Sequence, residues 1–307
     1  MRKYFVTGLY LIIIGGLLLG GGLVMNAEKT IVWNHGFHIS KQIDRTEDVK
    51  KFDRIKVDSD ANSVNIERGD RYKVHIVGDK LRSSDFYVSD GTLHITGNKQ
   101  HSYSDIVSGY KNPNITITIP HGVTLKELNL NMNQLSMDVN GIKVGNLVIA
   151  NGSNGMLNFI DSDIKNAKNI ELDASDIEFE QTDVENFELK SATNSDIQLV
   201  ESNFKNSSIK TTNINFNAYK GILENLTFAT RNGHAEVNES TLRGHNSFEM
   251  KNGSFSARST NVDGLDLTTV NGNVSYYDEG QGKSYQHNAD EENLLKVNTI
   301  NGSIEIK

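Results

Sequence analysis

The sequence predicts an all-β chain, a β-solenoid of the β-helix kind with about 20 residues per coil, preceded by a single N-terminal transmembrane helix. Three observations predict it. Residues 4–25 carry no charge, alternating apolar pairs recur beyond Pro120 at a nearly fixed interval of about 20, and Asn-Gly dipeptides punctuate the same interval.

The uncharged stretch is 22 residues long, enough at ~1.5 Å per residue to cross a ~30 Å hydrocarbon core. Arg2 and Lys3 precede it, and basic residues stay on the cytoplasmic side. The rest of the chain is then expected outside the cell, at the cell membrane as a single-pass protein. A cleaved signal peptide is the competing reading, with Met25-Asn26-Ala27 as its poor cleavage site; its apolar core is usually shorter, which favours a retained anchor. Gly16 and Gly20 form a small-xxx-small pair that lets two such helices approach and dimerise. Trp33 and Phe37 follow, placed either at the headgroup level or as an ordinary pair in a first strand.

Residues 1–27 thus form a cytoplasmic tip and anchor, 28–51 a polar linker, 52–122 a β-rich entry and capping part, and 123–307 the repeats. In the entry part Ile55/Val57, Val64/Ile66, Val74/Ile76 and the run Ile115, Ile117, Ile119 alternate with polar residues, the period of half-buried strands. Ser89-Asp90-Gly91 marks a turn.

In the repeats one set of pairs runs Leu128/Leu130, Leu147/Ile149, Ile170/Leu172, Phe187/Leu189, Ile209/Thr211, Leu226/Phe228, Phe248/Met250, Leu265/Leu267 and Leu295/Val297. A second runs from Leu135/Met137 through Leu157/Phe159, Ile177/Phe179, Ile197/Leu199, Ile214/Phe216, Ala235/Val237, Phe255/Ala257 and Val274/Tyr276 to Ile304/Ile306. Ile164, Val184, Phe204, Ile222, Leu242 and Val262 give a third anchor. Three short sides bury too little alone; stacking makes a continuous core. Asn166, Asn186, Asn206, Asn225, Gly244 and Gly264 follow the third anchor, residues that tolerate the left-handed conformation of a sharp corner. Asn232-Gly233, Asn252-Gly253, Asn271-Gly272 and Asn301-Gly302 mark another corner. The last interval is 30 residues, and the excess falls in an acidic loop at 278–293 with five carboxylates and one lysine.

Composition excludes several chemistries. The chain has no cysteine, hence no disulfide, thiolate metal site or cysteine nucleophile. Its net charge of −8, or −10 beyond Lys3, argues against nucleic acid, which needs a basic face. His35 and His38 are the only closely spaced histidines, too few for zinc. The element Ser162-Asp163, Thr182-Asp183, Ser202-Asn203, Thr260-Asn261 stacks its Asp and Asn in a column that either holds calcium or shapes the corner; the change from Asp to Asn favours the corner. Lys190, Lys210, Arg231 and Lys251 form a basic column, facing an anionic glycan or wall polymer, or simply solvated. No catalytic, cofactor or metal residue is assigned, no cofactor is expected, and the ligand is left open.

Phe52-Asp53-Arg54-Ile55-Lys56-Val57-Asp58-Ser59, Ser63-Val64-Asn65-Ile66, Gly91-Thr92-Leu93-His94-Ile95, Ile115-Thr116-Ile117-Thr118-Ile119-Pro120 and Leu125-Lys126-Glu127-Leu128, followed by the Asn-Gly corners, resemble the bacterial putative-adhesin family, the LiaG-like β-strand-repeat proteins of the cell envelope. The resemblance covers about residues 50–307. It implies an all-β repeat fold outside the membrane, no established catalytic residues, and a role in envelope-stress response or adhesion. Members mostly place Ser-Gly at the corner that is Asn-Gly here. The expectation is a non-enzymatic, membrane-anchored binding or scaffold protein whose acidic exterior attracts cationic peptides, with envelope polymers or membrane proteins as further partners. A carbohydrate-acting β-helix enzyme and a sensor partner of a membrane kinase are the alternatives.

Overall fold

The computed structural model describes residues 2–24, 29–33, 36–60, 63–80, 84–97, 104–107, 114–134 and 136–307. Leu135, His35 and residues 25–27 lie outside them, as do the side chains of Phe37 and His38.

Past the N-terminal helix Arg2–Val24, every regular element among the described residues is a strand. Strands pair in parallel with the strand one layer later in sequence. One face stacks Thr124–Asn133, Lys143–Ser153, Asp163–Asp173, Phe187–Thr193 and Ser208–Tyr219. A second stacks Ser136–Asn140, Met156–Ile160, Asp176–Glu180 and Ser195–Val200. Three-residue strands, among them Asp183–Glu185, Asn203–Lys205, Ile222–Glu224 and Thr241–Arg243, form a third. Apolar residues from all three faces meet inside. Phe159 lies over Phe179 with centroids 5.4 Å apart and rings 11° from parallel, and Phe216, Phe228, Phe248 and Phe255 pack as a second aromatic group.

The pairings correct the expected register in five layers and one third-side anchor. Leu147 sits opposite Ala167, not Ile170, and Leu189 opposite Ile209 opposite Phe228 opposite Phe248. Met137/Val139 and Phe216/Ala218 take the places expected for Leu135/Met137 and Ile214/Phe216. On the third side Leu223, not Ile222, lies opposite Phe204 and Leu242. On the two longer faces a shift of two residues keeps a side chain on the same face, so alternation alone does not detect it; on the third the shift is of one residue, in a strand of three that is too short to show alternation. The shift places Ser207 and Asn246 inside, where each accepts a backbone N–H from the layer before: Phe187 N to Ser207 Oγ at 3.3 Å and Leu226 N to Asn246 Oδ1 at 3.0 Å. The small Ala235 lies on its ladder between the larger Phe216 and Phe255.

Two kinds of corner hold the sides together. Asn186, Asn206, Asn225 and Gly244 are left-handed as expected, while Asn166 and Gly264 are not. A second column the sequence did not suggest is Asp161, Gln181, Glu201, Lys220, Glu239 and Ser259, with φ between 49° and 56°. A hydroxyl or Gly221 follows each. Ser162 Oγ donates to Ile160 O at 2.8 Å and accepts Ile142 N at 3.2 Å; Thr182 and Ser202 repeat the pattern one layer on. The hydroxyl thus cements neighbouring layers where the chain turns.

The Asn-Gly corners work differently. Gly253, Gly272 and Gly302 have no left-handed φ; instead a Cβ on Gly253 would land on the carbonyl oxygen of Gly233, and one on Gly302 on that of Gly253. Glycine is needed there for close approach of layers. The asparagines beside it chain their amides: Asn232 donates to Asn213 (2.6 Å), Asn252 to Asn232 (2.8 Å), Asn301 to Asn252 (2.7 Å) and Asn271 to Asn301 (2.8 Å).

That ladder reveals the order of layers at the C-terminal end. Leu294–Asn301 pairs with both His245–Asn252 and Gly264–Thr269, and Ile304–Ile306 with both Phe255–Arg258 and Val274–Tyr276. The late segment returns between two earlier layers. Residues 279–287, expected within an acidic loop, instead form Glu279–Gly282 and Ser284–His287, antiparallel strands covering the outermost layer. Tyr285 on the second of them stacks against Tyr276 at 4.7 Å, and burial pushes the Tyr276 phenol up.

The N-terminal end is closed likewise. Thr92–Thr96 and Asn114–Pro120 add parallel layers to Arg54–Asp60 and Ser63–Gly69, and Asp85–Ser89 and Lys73–Asp79 cover them antiparallel. Within the stretch expected as a polar linker, Lys29–Trp33 and Phe37–Asp48 pair antiparallel, and the second pairs with Lys73–Asp79. Residues 44–48 are exposed along the strand, so no apolar alternation announced it. Trp33 lies opposite Phe37 in this antiparallel pairing, the pair in a first strand, and Trp33 itself is 46% exposed. Arg68 donates to the carbonyls of Pro120 (3.1 Å), Val123 (2.7 Å) and Gly141, tying this end to the stack.

Candidate binding groove

On the outer side of the first face, across its last five layers, lies a groove of about 700 Å³. Two outward rows border it. One runs Lys210, Ala229, Glu249, Asn298, Thr268, each opposite the next. The other lines it with Lys251, Ile300 and Val270, set by the rungs on either side, and continues past the lining to Arg231. Thr211, Thr230, Met250 and Thr299 lie between them. The Thr299 hydroxyl, between the rows, donates to the Gly302 carbonyl at 2.8 Å. Val270 is 58% and Ile300 44% exposed, the groove's apolar end.

The basic column is therefore two rows. Lys210 lies opposite Ala229, so Arg231 and Lys251 belong two residues further along. Lys190 is held by Glu171 at 2.6 Å, outside the groove. Lys210 and Lys251 face the groove from both rows. Val270 and Ile300 escaped the sequence reading because they fall outside every periodic set, one residue short of the Asn-Gly corner.

The Asp column is assembled, with Asp163 opposite Asp183 and Asp183 opposite Asn203. Lys143 pairs with Asp163 at 3.3 Å, the Asn203 amide donates to Asp183 at 2.6 Å, and the Asn203 carbonyl accepts Ile222 N at 3.0 Å. Among the described residues no three His, Asp or Glu side chains converge as a metal site. Beside this column Glu185, Lys205, Glu224 and Arg243 succeed one another on successive rungs. Lys205 and Glu224 close to 3.1 Å. Opposite charges across a ladder favour this register over a slipped one.

A family model described as Toastrack DUF4097 matches residues 52–307. Solved structures similar to the chain include one described as a "putative adhesin" from Bacteroides fragilis, 14% identical, TM-score 0.44, covering 87% of this chain and 97% of that one. Another is described as a "putative lipid binding protein" from Parabacteroides distasonis, 12% identical, TM-score 0.43, covering 87% and 97%. A "putative adhesin" from Parabacteroides merdae is 13% identical, TM-score 0.33, covering 87% and 96%. No curated protein matches the chain.

Proposed function

The chain belongs to the Toastrack DUF4097 family, and on that premise we propose that it is a non-catalytic binding and scaffold protein of the bacterial envelope. In this reading the stack is a β-solenoid of about 20 residues per coil, presented outside the cell on a retained membrane helix. The groove carries the proposal: a face of five paired layers that presents Lys210 and Lys251 on its first and third layers and the exposed aliphatic side chains Ile300 and Val270 on its last two. Supporting the anchor, Tyr4–Gly22 is apolar, long enough to span, and exposed along its length. The Cβ positions of Gly16 and Gly20 meet nothing within 4 Å, which suits a second copy of the helix in a dimer. The net charge of −10 beyond Lys3 draws cationic peptides to the rest of the surface, consistent with a part in envelope stress or adhesion.

Amine footprinting with a membrane-impermeant reagent tests both halves at once. On intact cells, lysines such as Lys168 are expected to label, whereas Lys210 and Lys251 label more slowly than in the purified full chain because an occupant covers them. Labelling of Lys168 only after lysis refutes the outside location. Equal labelling of Lys210 and Lys251 in both states refutes an occupied groove.

A further inference from the structure

The geometry points to a single-chain anionic amphiphile, a fatty-acid carboxylate, as the ligand of this groove; the inference rests on the groove being a binding site. The row Arg231, Lys251, Ile300, Val270 changes along its length from two cations to two aliphatic side chains. The parallel row starts at Lys210 and ends at Asn298 and Thr268, uncharged. Polarity therefore changes across the layers, with Lys210 on the first and Lys251 on the third, and the aliphatic Ile300 and Val270 on the fourth and at the end of the outermost. Glu249 is the carboxylate in the groove's lining, set against Lys210 and Lys251 there and Arg231 next to it in the outward row.

Four layer spacings of ~4.8 Å make the groove about 19 Å long, the reach of an extended acyl tail. Between the rows the floor of the groove is made by Thr230, Met250 and Thr299, all buried. Other ligand classes fit less well. No aromatic ring lines the groove for a sugar to stack on. A polyanion would need cations throughout, and it would meet Ile300 and Val270 at the far end. A peptide strand would need free backbone groups, but each inner strand beneath the groove is paired on both sides. A carboxylate with an aliphatic tail matches the cations, the length and the apolar end together.

The test uses the full chain in phosphatidylcholine nanodiscs, with palmitate, palmityl alcohol or inorganic polyphosphate added separately. Acetylation of Lys210 and Lys251 is followed by mass spectrometry against Lys168. Palmitate is expected to slow both groove lysines several-fold, palmityl alcohol much less, and the effect to vanish in Ile300→Asp and Val270→Asp. A melting temperature for each variant separates loss of ligand from loss of fold; Lys251→Glu, on the exposed rim, repeats the test without touching the apolar end. Equal protection by palmitate and the alcohol overturns the anionic head. Protection by polyphosphate but not palmitate overturns the amphiphile and leaves a binding face. Protection by none of the three overturns the groove itself.

Discussion

Gly253 and Ala174 invert the usual assignment of glycine. Ala174 has φ 49°, a conformation that costs an L-residue about 1–2 kcal/mol, while Gly253 has an ordinary φ but no room for a Cβ. Gly253→Ala is therefore expected to destabilise by about 1–3 kcal/mol through forced separation of layers. Ala174→Gly is expected to stabilise by about 0.5–1 kcal/mol, the relieved strain less the added freedom of the unfolded chain. Denaturant melts of both variants check the pair; a harmless Gly253→Ala would mean the layers are looser than described. The sequence marked Asn-Gly correctly as a corner, but residue type does not distinguish a left-handed glycine from a crowded one. The column Asp161, Gln181, Glu201, Lys220, Glu239 was illegible for a related reason, since none but Asp favours that conformation. Its one available signal was the hydroxyl recurring next to it at Ser162, Thr182, Ser202 and Ser240.

Among elements, the junction between the entry strands and the stack rests on Asp53. Its carboxylate bonds Lys126 Nζ at 2.5 Å, and its carbonyl accepts Lys126 N at 2.7 Å. The bond to Lys126 holds the Asp53 carboxyl below its ordinary value of 3.8. A depressed folded value stabilises fully above the unfolded value and is lost as pH falls through the folded one. Asp53→Asn is therefore expected to lower the melting temperature at pH 7, with the gap to the unsubstituted chain closing below about pH 4. Melts from pH 7 to pH 2.5 would show it; a gap that persists in acid would assign the effect to packing. The strands themselves were largely legible, because apolar alternation is what buries a face. Their registers were not, because Ile170, Ile209 and Phe248 each have an inward neighbour two residues away. Polar edge strands such as Phe37–Asp48 were invisible to that pattern altogether.

For the whole molecule, both ends of the stack are closed by antiparallel strands with polar outer residues, which blunts edges that would otherwise template pairing. Replacing Ser284 and Gln286 on the last strand by valine is expected to produce concentration-dependent end-to-end association in sedimentation velocity. Unchanged sedimentation would mean the cap is protected by something other than its polarity. The groove was half legible: Lys210 and Lys251 stood out by spacing, while Val270 and Ile300 gained meaning only when the returning strand set them side by side.

The returning strand also dictates an order of events. Leu294–Asn301 lies between layers made of residues 245–258 and 264–276, so the outer layer emerges during synthesis before its inner neighbour exists. Chains generally fold from the N-terminus as they are made, yet this end cannot settle by simple addition of each new layer. The outer strands must wait, or dock on the wrong neighbour and be displaced. Completion of the groove thus reports that the residues forming its last inner layer have arrived, which couples competence for binding to the finishing of the chain.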